Sequence, residues 1–318
     1  MSSSGLNGPH PHPLPEGEGG HRPLPPGDVD RGGEPTCSPR AATLGRPYGG
    51  GEGEGTPLLT VIIPCYDERE TILTVFERVR ALDIDKEIVV VDNCSTDGTR
   101  ELVAGLQGQE RVRVVLQPRN MGKGTSVRTG IAAATGEFVV CQDADLEYDP
   151  SDILRLLEHA RTGADAVFGT RLSDATTREG GSRLFSRGRR LVTSWFNLLF
   201  GTRLTDVSTC YKLLRRSVIQ GIALRSRGFD LDFEIPAKLA LRGVRIHEVP
   251  ISYSPRGFAE GKKINWRDGV RAFWTILKHR VALLPARGAA PTSPPVPRSA
   301  RDHPLSASGE GDRPKAGG

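Results

Sequence analysis

Glu137-Phe138-Val139-Val140-Cys141-Gln142-Asp143-Ala144-Asp145-Leu146-Glu147 is the stretch that decides the fold. It opens as a short apolar run of strand length and breaks off at two closely spaced acids. A strand that is apolar on successive positions is covered on both faces, as in parallel sheets flanked by helices. Three similar units precede it. Residues 60–63 are a β-branched run closed by Pro64, and residues 69–82 then place Ile72, Val75, Phe76 and Val79 at helical spacing. Residues 87–91 run into Asp92, and Thr96 or Asp97 caps a helix that continues to Leu106. Residues 112–116 predict a third strand and residues 122–134 a third helix. After the fourth strand, Pro150 suits a first helical turn because it has no N–H to leave unpaired.

This alternation predicts an α/β fold with a mostly parallel central sheet and helices on both faces. Ligands in such sheets bind beyond the carboxyl ends of the strands. Residues 64–68, 92–96 and 143–147 each follow a strand directly, so their polar side chains are expected on one rim. The second half is less regular. Residues 205–214 and 244–253 are expected as strands, 231–241 as a helix, and 266–284 as a last amphipathic helix.

Outward from this core the composition changes. Of the first 55 residues, 24 are Gly or Pro, too few large apolar side chains to offset the entropy of ordering. A disordered arm is expected over 1–55, a single folded domain over 56–284, and a disordered tail over 285–318, where Pro294, Pro295 and Pro297 sit among Ser, Arg and Gly. The five cysteines are odd in number and lack C-x-x-C spacing, which favours a reducing compartment. The start is too polar for a signal peptide, and no run of about 18 apolar residues suits a spanning helix. A cytoplasmic protein is expected, peripheral to a membrane at most. The net charge of +5 is mild, yet it is concentrated: Arg183, Arg187, Arg189 and Arg190 form one cluster, and Arg256, Lys262, Lys263, Arg267 and Arg271 another. Either suits an anionic acceptor or a membrane surface.

In Asp143-Ala144-Asp145, alternation along an extended chain aims both carboxylates to one side. Two close carboxylates repel unless a cation lies between them, and Mg²⁺ or Mn²⁺ takes carboxylate, water and phosphate oxygens. Glu147 would add a third oxygen. A solvated acidic loop is the bland alternative, and the position at a strand end weighs against it. Asp92 suits ribose hydroxyls or a base, whereas residues 96–98 read as a turn and helix start. Asn120-Met121-Gly122-Lys123-Gly124 lacks P-loop spacing. Lys123 is either a phosphate or acceptor contact or part of a structural turn. His247, in an apolar strand, reads as structural. Residues 187–200 join arginines to Leu191, Val192, Trp195, Phe196, Leu198, Leu199 and Phe200, which fits a lipid phosphate at an interface or an ordinary packed amphipathic helix.

Taken in order, Val61-Ile62-Ile63-Pro64-Cys65-Tyr66-Asp67-Glu68, the run from Val90 to Thr99, Asn120 to Gly124 and Asp143 to Glu147 resemble the family 2 glycosyltransferases with the GT-A fold. Within that family the likeness is to dolichyl- or polyprenyl-phosphate sugar transferases. The resemblance implies a nucleotide-diphosphate sugar as donor, Mg²⁺ or Mn²⁺ as cofactor, and polyprenyl phosphate at a membrane surface as acceptor. Pro64, Tyr66, Glu68 and Asp92 would contact base and ribose. Asp143, Ala144 and Asp145 would serve the sugar nucleotide and its metal. Arg171, in Gly169-Thr170-Arg171, would lie near the phosphates, and Arg256 and Lys262 would clamp phosphate. The acceptor side would include Lys123, Arg190, Asp206 and Glu234. Asp67 stands where Asn is usual, Asn93 replaces a second Asp, and Glu147 falls where Gln is frequent. The rival readings are the same donor chemistry with a soluble or protein acceptor, or a noncatalytic binder of nucleotide sugar or nucleic acid. Nucleic acid is not expected as a partner, because an acidic rim repels phosphates when no metal is held there.

Overall fold

The computed structural model describes residues 55–171, 183–255 and 266–281. The expected arm and tail, with Arg256 and Lys262, lie outside the described residues. The chain alternates through β1 (Leu59–Cys65), α1 (Ile72–Arg80), β2 (Lys86–Asp92), α2 (Thr99–Ala104), β3 (Val112–Leu116), α3 (Lys123–Ala133), β4 (Phe138–Cys141) and α4 (Asp152–Arg161). It continues with β5 (Ala166–Thr170), α5 (Arg183–Phe200), β6 (Lys212–Arg215), α6 (Arg216–Gln220), α7 (Leu231–Leu241), β7 (Ile246–Pro250) and α8 (Trp266–Val281).

The strands form one seven-stranded sheet in the order β3-β2-β1-β4-β6-β5-β7. All neighbours are parallel except β6, which runs antiparallel between β4 and β5. The mostly parallel sheet expected from the apolar runs is therefore present. Alternation along β1 divides the interior: Val61 and Ile63 join Phe76, Leu156 and Leu157 on one face, while Ile62 joins Val127, Ile131 and Ile235 on the other. Each of these fully buried side chains stabilises the fold by about 1.5–3 kcal/mol. Helix α3 lies close on the sheet because Gly130 has no side chain; a methyl there would collide with Ile62.

The later elements correct one expectation. The strand expected over 205–214 is confined to Lys212–Arg215. Upstream of it the backbone is held by side chains instead of a ladder, because the N–H groups of Thr205 and Asp206 donate to the Glu248 carboxylate at 2.8–3.1 Å. Helix α5 packs on α7 and α8, with Val192, Phe196, Val207, Ala237, Ala272 and Ile276 as a separate core. Among the described residues no helix is long and apolar enough to cross a membrane.

Candidate active site

The four loops that leave β1, β2, β3 and β4 are joined in a closed circuit of hydrogen bonds. Asp67 Oδ1 accepts the Thr96 N–H at 2.8 Å, and the Asp67 N–H donates to Ser95 Oγ at 3.1 Å, which links the first loop to the second. Asp67 takes φ +50 to do so. Asn93 links the second loop to the third: its Nδ2 donates to Asn120 Oδ1 at 2.9 Å and its Oδ1 accepts the Met121 N–H at 2.8 Å. Lys123 Nζ meets Asp143 Oδ1 at 2.6 Å, joining the third to the fourth. Thr71 closes the circuit by donating to the Ala144 carbonyl at 2.8 Å. The expected convergence on one rim is thus built from short polar side chains. Two of the departures from the family pattern, Asp67 and Asn93, serve as crosslinks.

Individual roles differ from the expectations. Asp92 is wholly buried, with Arg100 at 2.6 Å from Oδ2 and the Cys94 and Ser95 N–H groups at 3.1 and 3.2 Å. Its carboxylate anchors the second loop and does not stand on the rim. Pro64 and Ala144 are buried, whereas Tyr66 and Glu68 are half-buried at the end of β1. Glu68 accepts from Thr71 Oγ1 at 3.2 Å, and its N–H donates to Thr99 Oγ1 at 2.9 Å.

Asp143 and Asp145 have different partners. The backbone bends over residues 144–147, so extended-chain alternation fails there, and Lys123 draws Asp143 inward. Asp143, Asp145 and Glu147 accordingly do not bring one oxygen each within 4.8 Å of one another, and the three-carboxylate metal set is corrected. Burial would raise the Asp143 carboxyl, but the Lys123 ammonium outweighs it and holds the group below its usual range. Lys123 also lies over the Phe229 ring at 5.3 Å, so its ammonium has an aromatic partner as well as an ionic one. Asp145 and Glu147 remain adjacent: Asp145 Oδ1 accepts the Glu147 N–H at 3.1 Å, and Glu147 Oε2 accepts the Tyr253 O–H at 2.9 Å. Burial, with Glu147 beside it, pushes the Tyr253 phenol up. These two acids offer only hard oxygen donors, which fits Mg²⁺ or Mn²⁺ completed by water and phosphate oxygens.

On the side expected to face the acceptor, Arg171 and Asp206 form a buried ion pair. Arg171 Nε and Nη2 reach Asp206 Oδ2 and Oδ1 at 2.6 and 2.9 Å, and the guanidinium also donates to Tyr148 and Ser208. Burial opposes the Asp206 charge, but Arg171 prevails and keeps the carboxyl below its usual range. Arg171 is therefore a fixed post, stacked 5.0 Å from the Tyr253 ring, and not a side chain extended toward phosphates. Glu234, also wholly buried, accepts the Arg225 and Ser226 N–H groups and pairs with Lys238 at 2.5 Å, so it shapes residues 225–228 from within. Arg190 is exposed. Its neighbour Arg189 turns inward, one residue being about 100° of helix. Arg189 Nε is buried without a hydrogen-bond partner among the described residues and lies 3.9 Å from the Asp206 oxygen that Arg171 already holds. Burial, reinforced by Arg171, lowers its pKa. Sequence reasoning also missed Tyr148, Glu248 and Tyr253; a carboxylate inside a predicted strand was the available signal for Glu248.

The family model described as "Glycosyl transferase family 2" matches residues 60–222, about half of the chain. The chain belongs to glycosyltransferase family 2. That span takes in the loop circuit, the bent acidic stretch and the Arg171–Asp206 pair. Glycosyltransferase AglJ of Haloferax volcanii is 31% identical over 62% of this chain and 63% of its own length. The dolichol-phosphate mannosyltransferase of Pyrococcus furiosus is 32% identical over 64% of this chain and 58% of its own. The chain thus spans about three fifths of the length of these relatives. Among solved structures, glucosyl-3-phosphoglycerate synthase from Mycobacterium tuberculosis, in complex with phosphoglyceric acid, is similar with a TM-score of 0.56 at 22% identity. The match covers 71% of this chain and 80% of that one. The same enzyme in complex with Mn²⁺, uridine diphosphate and glucosyl-3-phosphoglycerate gives a TM-score of 0.54 at 22% identity, covering 72% and 82%. The family 2 transferase therefore shares the GT-A fold.

Proposed function

We propose that this family 2 glycosyltransferase moves a hexose from a UDP- or GDP-linked sugar to a polyprenyl or dolichyl phosphate, inverting the anomeric configuration. The observation that carries the reading is Arg189. A half-buried guanidinium whose Nε is buried without a hydrogen bond, 3.9 Å from a carboxylate already held by another arginine, is a cation poised for an anion. A phosphate monoester supplies that charge. Its oxygen is already anionic at neutral pH, so attack on the anomeric carbon needs no strong general base, and the bond to the departing diphosphate breaks as the new C–O bond forms.

The work left to the protein is to orient donor and acceptor and to balance the charge that develops on the leaving diphosphate. The loop circuit fixes the donor side, with Tyr66 and Glu68 at the base and ribose. Asp145 and Glu147 would hold Mg²⁺ or Mn²⁺, which supplies Lewis-acid charge at the diphosphate when bound. Tyr253 orients Glu147, and Arg171 orients Tyr253. Arg256 and Lys262 are proposed as phosphate contacts on the strength of the family resemblance. An expected location at a cytoplasmic membrane face belongs to the same proposal.

A phosphorylated soluble acceptor would satisfy Arg189 equally well. Helices α5 and α8 favour the lipid: Leu191 and Leu198, and Trp274 and Val281, are exposed large apolar residues spaced seven apart on each helix. Exposed Arg190 and Lys278 lie beside them. Basic charge next to an exposed apolar face suits a lipid surface. The test is a panel of UDP- and GDP-sugars with Mg²⁺ or Mn²⁺ and a short prenyl phosphate, scored for nucleoside diphosphate release and for product partition into organic solvent. Release that depends on the prenyl phosphate, with an extractable product, is expected. A water-soluble product, or no consumption of any sugar nucleotide, refutes the proposal.

A further inference from the structure

The oxygen donors of Asp145 and Glu147 leave a second cluster unused. Cys141, at the end of β4, and Cys210, just ahead of β6, are free thiols on antiparallel neighbours. With Asp143 they bring one ligand atom each to within 4.8 Å of one another, the group of this kind among the described residues. We propose that Cys141, Asp143 and Cys210 bind a thiophilic divalent cation of the zinc class, apart from any magnesium or manganese at Asp145.

Four observations support the assignment. The donor set is two sulfurs and one carboxylate oxygen, the chemistry that selects zinc-like ions over Mg²⁺ or Mn²⁺. Bonds of about 2.0–2.3 Å in a tetrahedron place ligand atoms roughly 3.7 Å apart, so the cluster needs to tighten by only about an ångström. A cavity of about 30 Å³ adjoins it, lined by Lys123, Cys141, Cys210 and Lys212 among apolar side chains. A cavity of that size accommodates one water, which would complete the fourth position. Finally, the charge closes: each thiol releases its proton to solvent on ligation, two thiolates and one carboxylate meet a dication, and the remaining negative charge, together with Asp232, balances the ammonium groups of Lys123 and Lys212. The sheet register holds both cysteines in place, with Cys210 Sγ donating to the Cys141 carbonyl at 3.7 Å. Occupation draws Asp143 from Lys123 and so opens one link of the loop circuit.

The test uses the full chain, reduced with a phosphine, and Co²⁺ as a visible stand-in for zinc. Near-ultraviolet sulfur-to-cobalt charge transfer and tetrahedral visible bands are expected, both erased by added Zn²⁺. Cys141→Ser and Cys210→Ser each lose about half of the charge-transfer intensity, since each removes one of two sulfurs. Cys65→Ser leaves the spectrum unchanged. Asp143→Asn, which keeps both thiols, retains the charge-transfer band and weakens binding by at least about tenfold, the scale seen when ligand support is removed. Absence of the band in the wild-type chain, its persistence when both Cys141 and Cys210 are serine, or unchanged affinity in Asp143→Asn overturns the proposal. None of these readings depends on sugar transfer, so the proposed function and this site fail separately.

Discussion

The two halves of the rim are held together by different physics. On the side expected for the donor, β1 to β4 end in loops tied by hydroxyls, amides, the Asp67 carboxylate and the Lys123–Asp143 ion pair, each one link among several. On the acceptor side, Arg171 and Asp206 are charges taken out of water and made dependent on each other, with Glu248 and Tyr148 completing their surroundings. The first arrangement distributes stability over many links. The second concentrates it in one pair, where loss of either partner strands a buried charge.

Asp206→Ala is the largest blow to this contrast. It leaves Arg171 buried without its carboxylate, and urea unfolding is expected to show a loss of about 3–5 kcal/mol. An equal loss from any single donor-side crosslink would erase the distinction. Next in size, Asp145→Ala is expected to lower nucleoside diphosphate release by roughly 100-fold or more while leaving the urea midpoint in place. Chelation of divalent cations should abolish release to a similar degree in the wild-type chain.

Acid sharpens the comparison further. The Asp206 carboxyl sits below its ordinary value of 3.8 in the folded chain, so the unfolded chain takes up its proton first. The stability this contributes is complete above 3.8 and is lost as pH falls through the folded value. In urea titrations below that pH, Asp206→Asn should show a shallower decline than the wild type. Thr71→Val removes the closing hydrogen bond to Ala144 together with the hydroxyl's longer contact to Glu68, and is expected to cost about 1 kcal/mol. Smallest of all, Leu198→Ser with Trp274→Ser should change stability by no more than about 0.5 kcal/mol, as surface changes usually do. The same pair should reduce sedimentation with anionic vesicles, which a purely structural role for that face does not predict.

The donor half was legible because its signals are local. Apolar runs of strand length, each stopped by a polar residue, gave β1 to β4 and the rim that follows them, and the helix over 231–241 was read with its observed bounds. What escaped detection depends on partners distant in the chain. Nothing near Asp143 announces Lys123, twenty positions earlier, yet that ammonium decides which way the carboxylate turns. Asp206 and Arg171 look like surface polar residues until the sheet brings β5 and the segment ahead of β6 side by side. The strand expected over 205–211 failed for the same reason: Glu248, from another strand, takes the N–H groups a ladder would have used. Arg190 was favoured over Arg189 because a helix face cannot be fixed to one residue before its packing against α7 and α8 is known.

The bond that closes the loop circuit has a consequence for how such a protein changes over time. Thr71 donates to the Ala144 main-chain carbonyl, and every amino acid carries that acceptor. A change of side chain at Ala144 therefore leaves this acceptor in place, in contrast to Asp143, whose carboxylate is itself a link of the frame. A main-chain acceptor thus makes this closure independent of the residue type that carries it.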